Sequence, residues 1–513
     1  MTIKHGASKS QWFFRTMLPV LLLASIAICI QGYHPGVEDD GVYLAAIHSD
    51  LDAALFPHDA EMFRVQMQAS IFDKLIAASI RVSHLPVNVV ALLWQIAAIS
   101  LVLIGALRLA RRMFRSAAAH WAAVTMFAVL FSLPAAGTAL YLIDPQLHPR
   151  TIATGLILFA ASAILDRKFT LAIALLLIAS VMHPIMAAFG FSFCFFLWLT
   201  PSAEKFAHPS PNAAWLAVPA TPAPHALAWL FDKPTPPWRD AMSTRRYIFL
   251  ARWEWYEWLG VFGPLLLLFA CYRWAHRRAA TSPEYATLAR VSRAVVTCGV
   301  FQLAIALIIS TVPALVRLLP LQPMRFLHLI YVFLVLIAGG LLGELLLFRK
   351  PLRWAVAFVP LALIMGYTMS VEYPATPHLE LPGISDGAHS SNPWVQAFAW
   401  TSANTPTGAY FALDPYYMQL PGEDYHSFRA LAQRSVLADA VKDSAVAMQV
   451  PRLAPLWQQQ VAAAQNWQSL QPADFARLHR DFGVTWTILP ATSTLPFHCP
   501  YQNAVVKVCQ IPS

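Results

Sequence analysis

Three carboxylates stand side by side in the stretch GYHPGVEDDGVYLAA: Glu38, Asp39 and Asp40. Such a group can do two kinds of chemistry. One carboxylate can take a proton from a hydroxyl as a general base, and a pair such as Asp39 and Asp40 can hold a divalent cation, Mg or Mn. The structural alternative is a helix cap, with Asp39 or Asp40 accepting backbone N–H bonds at a helix start near Val42. A cap accounts for one carboxylate and leaves two. A second cluster, YLIDPQLHPRTIATG, places Asp144, His148 and Arg150 within seven residues. Arg150 suits forked recognition of a phosphate with His148 donating beside it. Against that stands a polar turn in which Asp144 simply pairs with Arg150. His183, in an HP break, could reach the same cavity or be a satisfied core histidine. LQPMRFLHLIY sets Gln322, Pro323 and Arg325 at the start of an apolar helix, where free N–H groups favour an anion; snorkelling of Arg325 is the alternative. In ARWEWYEWLG, Arg252 and Glu254 either face a cavity or stand within an aromatic belt of Trp253, Trp255, Tyr256 and Trp258.

The elements that must position these residues are read from composition. Hydrophobic residues make up 58% of the 513 and charged residues 12%, about half the charged share of an average soluble domain. Mean hydropathy is +0.52. That much apolar surface needs lipid as its solvent. Apolar runs long enough for a bilayer helix fall at 16–31, 88–107, 117–134, 151–165, 169–199, 258–275, 294–312, 326–347 and 353–371, which is nine spans. The run 169–199 is too long for one simple helix and is broken at His183-Pro184. It is one kinked span or two half-helices, and the total becomes ten or eleven if the Pro-rich stretch 201–237 partly re-enters the membrane. Lys4, Lys9 and Arg15 precede the first run, but no small-x-small cleavage site follows it, so it reads as a retained anchor.

Lys and Arg gather in RLARRMFR (108–115), DRK (166–168), the 277–293 segment and FRKPLR (348–353), all on one side if the spans alternate. That side is cytoplasmic by the positive-inside rule, together with the N-terminus. The net charge of +9 is therefore a topology signal. A nucleic-acid role would need those charges gathered on one soluble face, and is excluded. The first loop, 32–87, with eight acidic and three basic residues, lies outside with amphipathic helices along the membrane; its Asp50, Asp52, Asp59 and Glu61 read as solvated faces.

Residues 372–513 read as a small α/β domain on the outer side. TGAYFALDP, GVTWTILP and AVVKVCQI have strand character; SFRALAQRSVLADAVKDS, PLWQQQVAAAQNWQSL and PADFARLHRDFG have helical spacing, the last stopped by Gly483. Arg429 and Arg434 either meet a glycan or phosphate or pair with Asp439 and Asp443 at the surface. Cys499 and Cys509 flank CPYQNAVVKVC and could form a disulfide in an oxidising compartment; Cys29, Cys194, Cys271 and Cys298 lie in or beside apolar segments. No spacing suits a zinc site.

A first span followed by a loop with an acidic pair and surface-lying helices resembles the GT-C glycosyltransferase superfamily, as does a multi-span body that ends in an α/β domain. The stretches DPQLHPR, HPIMA, RWEWYEWLG, QPMRF and NTPTGAYFALDP look like a group of uncharacterised bacterial membrane proteins allied to it. The resemblance implies a polytopic inner-membrane protein, residues 1–371 forming the membrane body. It implies transfer of sugar from a polyprenyl-phosphate donor to an acceptor outside the cytoplasm, with Asp39 and Asp40, beside Glu38, as base or metal ligand. No WWDxG-like stretch is present, which argues against transfer to protein Asn. A transporter or flippase of a lipid-linked or anionic molecule, with a midplane site around His183, and a non-catalytic envelope scaffold are the alternatives.

Overall fold

The computed structural model describes residues 13–201 and 234–512. Lys4, Lys9 and most of the Pro-rich stretch lie outside them. The body is helical. Among the described residues, six helical stretches are long and apolar enough to cross a membrane: Phe13–Gln31, Val87–Met113, Trp255–Ala279, Pro283–Thr311, Pro323–Leu347 and Pro351–Glu372. Four shorter apolar helices pack among them. In chain order the helices of the body are α1 (Leu18–Gln31), α2 (Asp40–Leu51), α3 (Glu61–Met67), α4 (Phe72–Ser83), α5 (Val87–Met113), α6 (Ala117–Val129), α7 (Pro149–Leu165), α8 (Phe169–Met182), α9 (Pro184–Leu199), α10 (Pro236–Ser243), α11 (Trp255–Ala279), α12 (Ala286–Thr311), α13 (Leu327–Leu342) and α14 (Pro351–Glu372). A short ribbon, β1 (Pro134–Ala135) with β2 (Leu140–Tyr141), turns between α6 and α7.

The run 169–199 is two helices. Proline cannot continue α8 and biases His183 to extended backbone; His183 ends α8 and opens α9 with its Nδ1 accepting from the Met186 N–H at 3.3 Å. The helices pack on each other, so the break sits at one end of the bundle. At the opposite end Arg290 of α12 donates to the carbonyls of Leu197 and Thr200, and Asp166 holds both Arg108 and Arg112. The basic connectors thus cluster away from Glu38, Asp144 and Arg325.

Beyond α14 the chain builds a five-stranded sheet in the order β4-β3-β5-β7-β6, from β3 (Tyr410–Ala412), β4 (Ser435–Val436), β5 (Trp486–Pro490), β6 (Tyr501–Gln502) and β7 (Val506–Gln510). Helices α15 (Pro393–Asn404), α16 (Phe428–Ala432), α17 (Asp443–Gln449), α18 (Ala454–Ala463) and α19 (Pro472–Phe482) accompany it. β3 runs parallel to β4 and β5, and β7 is antiparallel to β5 and β6. Cys499 and Cys509 are disulfide-bonded, tying β7 to the segment before β6. The expected continuous helix over 427–444 is instead α16, β4 and α17: Gln433 takes φ +54°, which ends the helix, and Ser435-Val436 enters the sheet.

The first loop and this domain are stitched together. Tyr33 bridges Leu379, Val37 bridges His426, and Ser427 N–H donates to the Gly36 carbonyl at 2.8 Å. Gly36 has φ +90°, and a Cβ there would stand 2.6 Å from the Leu431 side chain. Glycine is what allows the loop to lie so close. Buried Glu380 accepts from His34 and His426, each at 3.2 Å. Asp59 is buried rather than solvated, bonded by Arg429 at 2.5 Å, while the same guanidinium grips both Asp443 oxygens at 2.7 and 2.8 Å. Arg429 is therefore a buried tie between loop and domain, and not a surface pair; Arg434 is spent on Thr405 and the Ser402 carbonyl.

Candidate functional site

At the end of the bundle that meets the C-terminal domain lies a cavity of about 790 Å³, lined among others by Glu38, Asp39, Asp144, His148, Arg150, His183, Gln322 and Arg325. Eight of the sequence candidates thus come from four separate parts of the chain to one space. Asp39 occupies the N-cap position of α2, yet its side chain caps nothing. Its Oδ1 lies 3.2 Å from Lys442 Nζ, and its Oδ2 3.4 Å from His148 Nε2. Glu38, held at φ +54° in the strained left-handed region, also meets Lys442. The His148 tautomer follows from its other nitrogen. Nδ1 accepts from the Arg150 backbone N–H at 3.0 Å, so the proton is on Nε2 and faces Asp39. His148 has no basic nitrogen to offer; its Nε2–H stands 3.4 Å from Asp39 with no hydrogen-bond partner of its own.

Electrostatics give the two aspartates different characters. Burial raises the Asp39 carboxyl, but the Lys442 charge outweighs it, helped by His148 and Arg150, and holds the group well below the usual carboxylate range. Its side chain is still 40% exposed on the cavity wall, so water screens part of that effect. Asp40 is only 5% exposed. Burial pushes it up to about 8, with the Asp39 and Asp144 charges adding to the rise. Its Oδ2 accepts from the Gly36 N–H at 2.8 Å, and it lines a different, smaller cavity. The sequence reading that pairs Asp39 with Asp40 at one site is corrected here: successive residues at a helix start point about 100° apart.

A divalent cation between Asp39 and Asp40 does not fit this donor set. Asp40 faces elsewhere, and both Asp39 oxygens already meet cationic or N–H groups. Among the described residues no group of three or more His, Cys, Asp or Glu side chains could hold a metal ion.

Donors for an anion are abundant. Arg150, 3% exposed, pairs with Asp144 through Nη2 and leaves buried Nε and Nη1 without a partner. Arg325 Nε is likewise unpartnered. Gln322, with φ +53°, carries Arg325 into the cavity at the foot of α13. A buried guanidinium with unmade hydrogen bonds is costly unless something else supplies acceptors. Arg252 and Glu254 are not in this cavity. Glu254 opens α11 in a capping box and pairs with Arg246 at 2.8 Å, and Arg252 lies over the Phe249 ring. Of the aromatic group, Trp255 and Tyr256 are exposed, Tyr256 also lining the cavity, and Trp253 is buried.

Lys442, which the sequence reading did not single out, completes the site from the C-terminal domain. Asp439 accepts from the Val441 and Lys442 N–H groups and so fixes the turn that presents it. Lys442 stands in an ordinary polar helix-like stretch, 403 positions from Asp39, and no local spacing marks it. Tyr141, in the YLIDPQLHPR stretch, and Tyr256, in ARWEWYEWLG, are also on the wall and stand inside quoted motifs, whereas Tyr373, at the end of α14, stands in none.

No protein-family model matches the chain, and no curated protein matches it. A solved structure of the archaeal oligosaccharyltransferase AglB from Archaeoglobus fulgidus, in complex with an inhibitory peptide and a dolichol-phosphate, is similar at 12% identity and a TM-score of 0.46, over 94% of this chain and 70% of that one. A likeness of that order gives no residue correspondence.

Proposed function

We propose that this chain is a membrane glycosyltransferase that moves a sugar from a polyprenyl phosphate to a hydroxyl acceptor, on the outer face of a bacterial inner membrane. The observation that carries the reading is the meeting, in one cavity, of an ionised Asp39 with the unmade hydrogen bonds of Arg150 and Arg325. The acceptor oxygen forms a bond to the anomeric carbon as its proton passes to Asp39. The bond from that carbon to the phosphate oxygen breaks, its electron pair leaving with the polyprenyl phosphate. Arg150 and Arg325 take up the charge that develops there. A carboxylate held as low as Asp39 is a weak base, which limits proton transfer. That suits glycosyl transfer, where positive charge builds on the sugar and a fixed anion beside it also stabilises the transition state.

The test compares glycan or glycolipid products in cells that carry the wild type, Asp39→Asn or no copy of the gene. Product is expected from the wild type alone, with equal amounts of protein in the membrane. Full product from Asp39→Asn would sink the mechanism. Net flux of a lipid-linked molecule into sealed vesicles, without covalent transfer, would favour the transporter instead.

A further inference from the structure

On the other side of the Glu38–Asp40 segment lies a second cavity, of about 320 Å³. That is the lower end of the size range of small-molecule sites. Leu44, Ile47, Phe72, Val87, Ala91 and Leu147 make its body. His48, Asn88 and Gln433 give its wall neutral polar groups, and among the described residues its charged ones are all acidic. Asp40, Glu380 and Asp386 all reach its wall, and no Lys or Arg does. Glu380 accepts from His34 and His426 at one oxygen, Oε1, where the two rings hold it, and Asp386 accepts from the Asn88 side chain at 2.5 Å and the Gly383 N–H at 2.7 Å, one on each oxygen. Asp40 has only the one bond from Gly36. Tyr33, 1% exposed on the same wall, has a hydroxyl with no hydrogen-bond partner at all. Buried polar groups left in this state are rare in folded proteins and point to a missing partner.

From this arrangement we infer that the second cavity is a binding site for a cationic amine on an apolar body, its ammonium group set against Asp40 and the Tyr33 hydroxyl. An ammonium group has three donors and no acceptor. Burial leaves a proton on Asp40 at neutral pH when the cavity holds no cation; the ammonium displaces it to water and donates to the freed Asp40 oxygen and to the Tyr33 oxygen at once, with the Tyr33 and Tyr43 rings beside it suited to a cation. The absence of Lys and Arg on this wall argues against a carboxylate or phosphate ligand. The site does not depend on the glycosyltransferase reading, since none of its bonding groups serves that reaction.

Binding is measured on the full chain in lipid nanodiscs with three matched probes: decylamine, decanol and decanoate. Decylamine is expected to bind saturably and to raise the thermal midpoint, and the other two are not. Asp40→Asn should weaken decylamine by roughly tenfold or more, the scale of one lost charge-assisted hydrogen bond. Ala91→Phe, which fills the apolar body, should abolish it. Because either variant could lower expression, a photoreactive alkylamine is cross-linked to the wild type in parallel, with labels expected on Leu44, Ile47 or Phe72. Equal binding of decanol would overturn the assignment of an amine. Labelling confined to lipid-facing residues, or decylamine binding unchanged in Ala91→Phe, would overturn the site.

Discussion

Lys442→Met removes the one cation that the C-terminal domain places on Asp39 and Glu38 while keeping the length of the side chain. The contact with Asp39 is 3.2 Å. Coulomb's law puts a pair at that separation at about 1.3 kcal/mol in water and about 5 kcal/mol at an effective dielectric near 20. Asp39 is 40% exposed, so screening by water keeps the interaction near the lower figure. At about 1.4 kcal/mol per pH unit, Asp39 should titrate roughly one unit higher in the variant. Two readouts follow. The acid limb of kcat/KM for sugar transfer should move up by about one unit. Thermal stability should show a gap between wild type and variant whose dependence on pH has a definite sign. Asp39 is depressed in the folded protein, so its contribution is present above the ordinary carboxylate range and fades as pH falls through its folded value. Lys442 is raised, because the Glu38 and Asp39 charges overcome the opposing effect of burial. Its contribution holds below the ordinary lysine value and fades as pH climbs through the folded one. The gap should therefore be widest across neutral pH and close at both ends. A gap of the same size at acid and neutral pH, or an acid limb that does not move, would refute the assigned role of Lys442.

Three further outcomes follow from the same geometry. Arg150→Ala leaves the buried Asp144 without its cation and should cost about 3–5 kcal/mol, most of it recovered in the double variant with Asp144→Ala, as read by thermal unfolding. Gly36→Ala places a methyl 2.6 Å from Leu431 at φ +90° and should destabilise by about 1–3 kcal/mol, loosening the loop from the C-terminal domain; limited proteolysis between residues 32 and 87 would report it. Replacing Cys499 and Cys509 with Ser opens a loop with a sequence separation of 10 and should lower stability by about 2–3 kcal/mol, with no change in Asp39-dependent activity.

The membrane body was legible because each helix buries its backbone polar groups within itself and must be apolar over most of its length. Leu18–Gln31, Val87–Met113 and Leu327–Leu342 each answer to an apolar run in the sequence. The break at His183-Pro184 was visible too, but whether the chain kinks or turns back depends on packing between α8 and α9, which no local pattern encodes. In the C-terminal region the apolar strands around Phe411, Ile488 and Val508 stood out, whereas β4 did not: it is two residues long and takes its strand geometry from pairing with β3. The site was legible where its residues sit next to helix-breaking signals, as Asp144, His148 and Arg150 do. Sidedness was not. Asp39 and Asp40 look equivalent as a pair and are separated only by the turn of α2 and by the Gly36 bond. Lys442, Arg429 and the burial of Asp59 depend on contacts across some 370 to 400 positions, and such contacts leave no periodic trace.

The most direct measurement of the central claim is a structure of the full chain in nanodiscs with decaprenyl phosphate bound. The account predicts phosphate density in the larger cavity, within hydrogen-bond reach of the free Arg150 and Arg325 nitrogens and open toward Asp39, and its loss in the Arg150→Gln, Arg325→Gln variant. Phosphate density away from both arginines, or an empty cavity at saturating lipid, would contradict it.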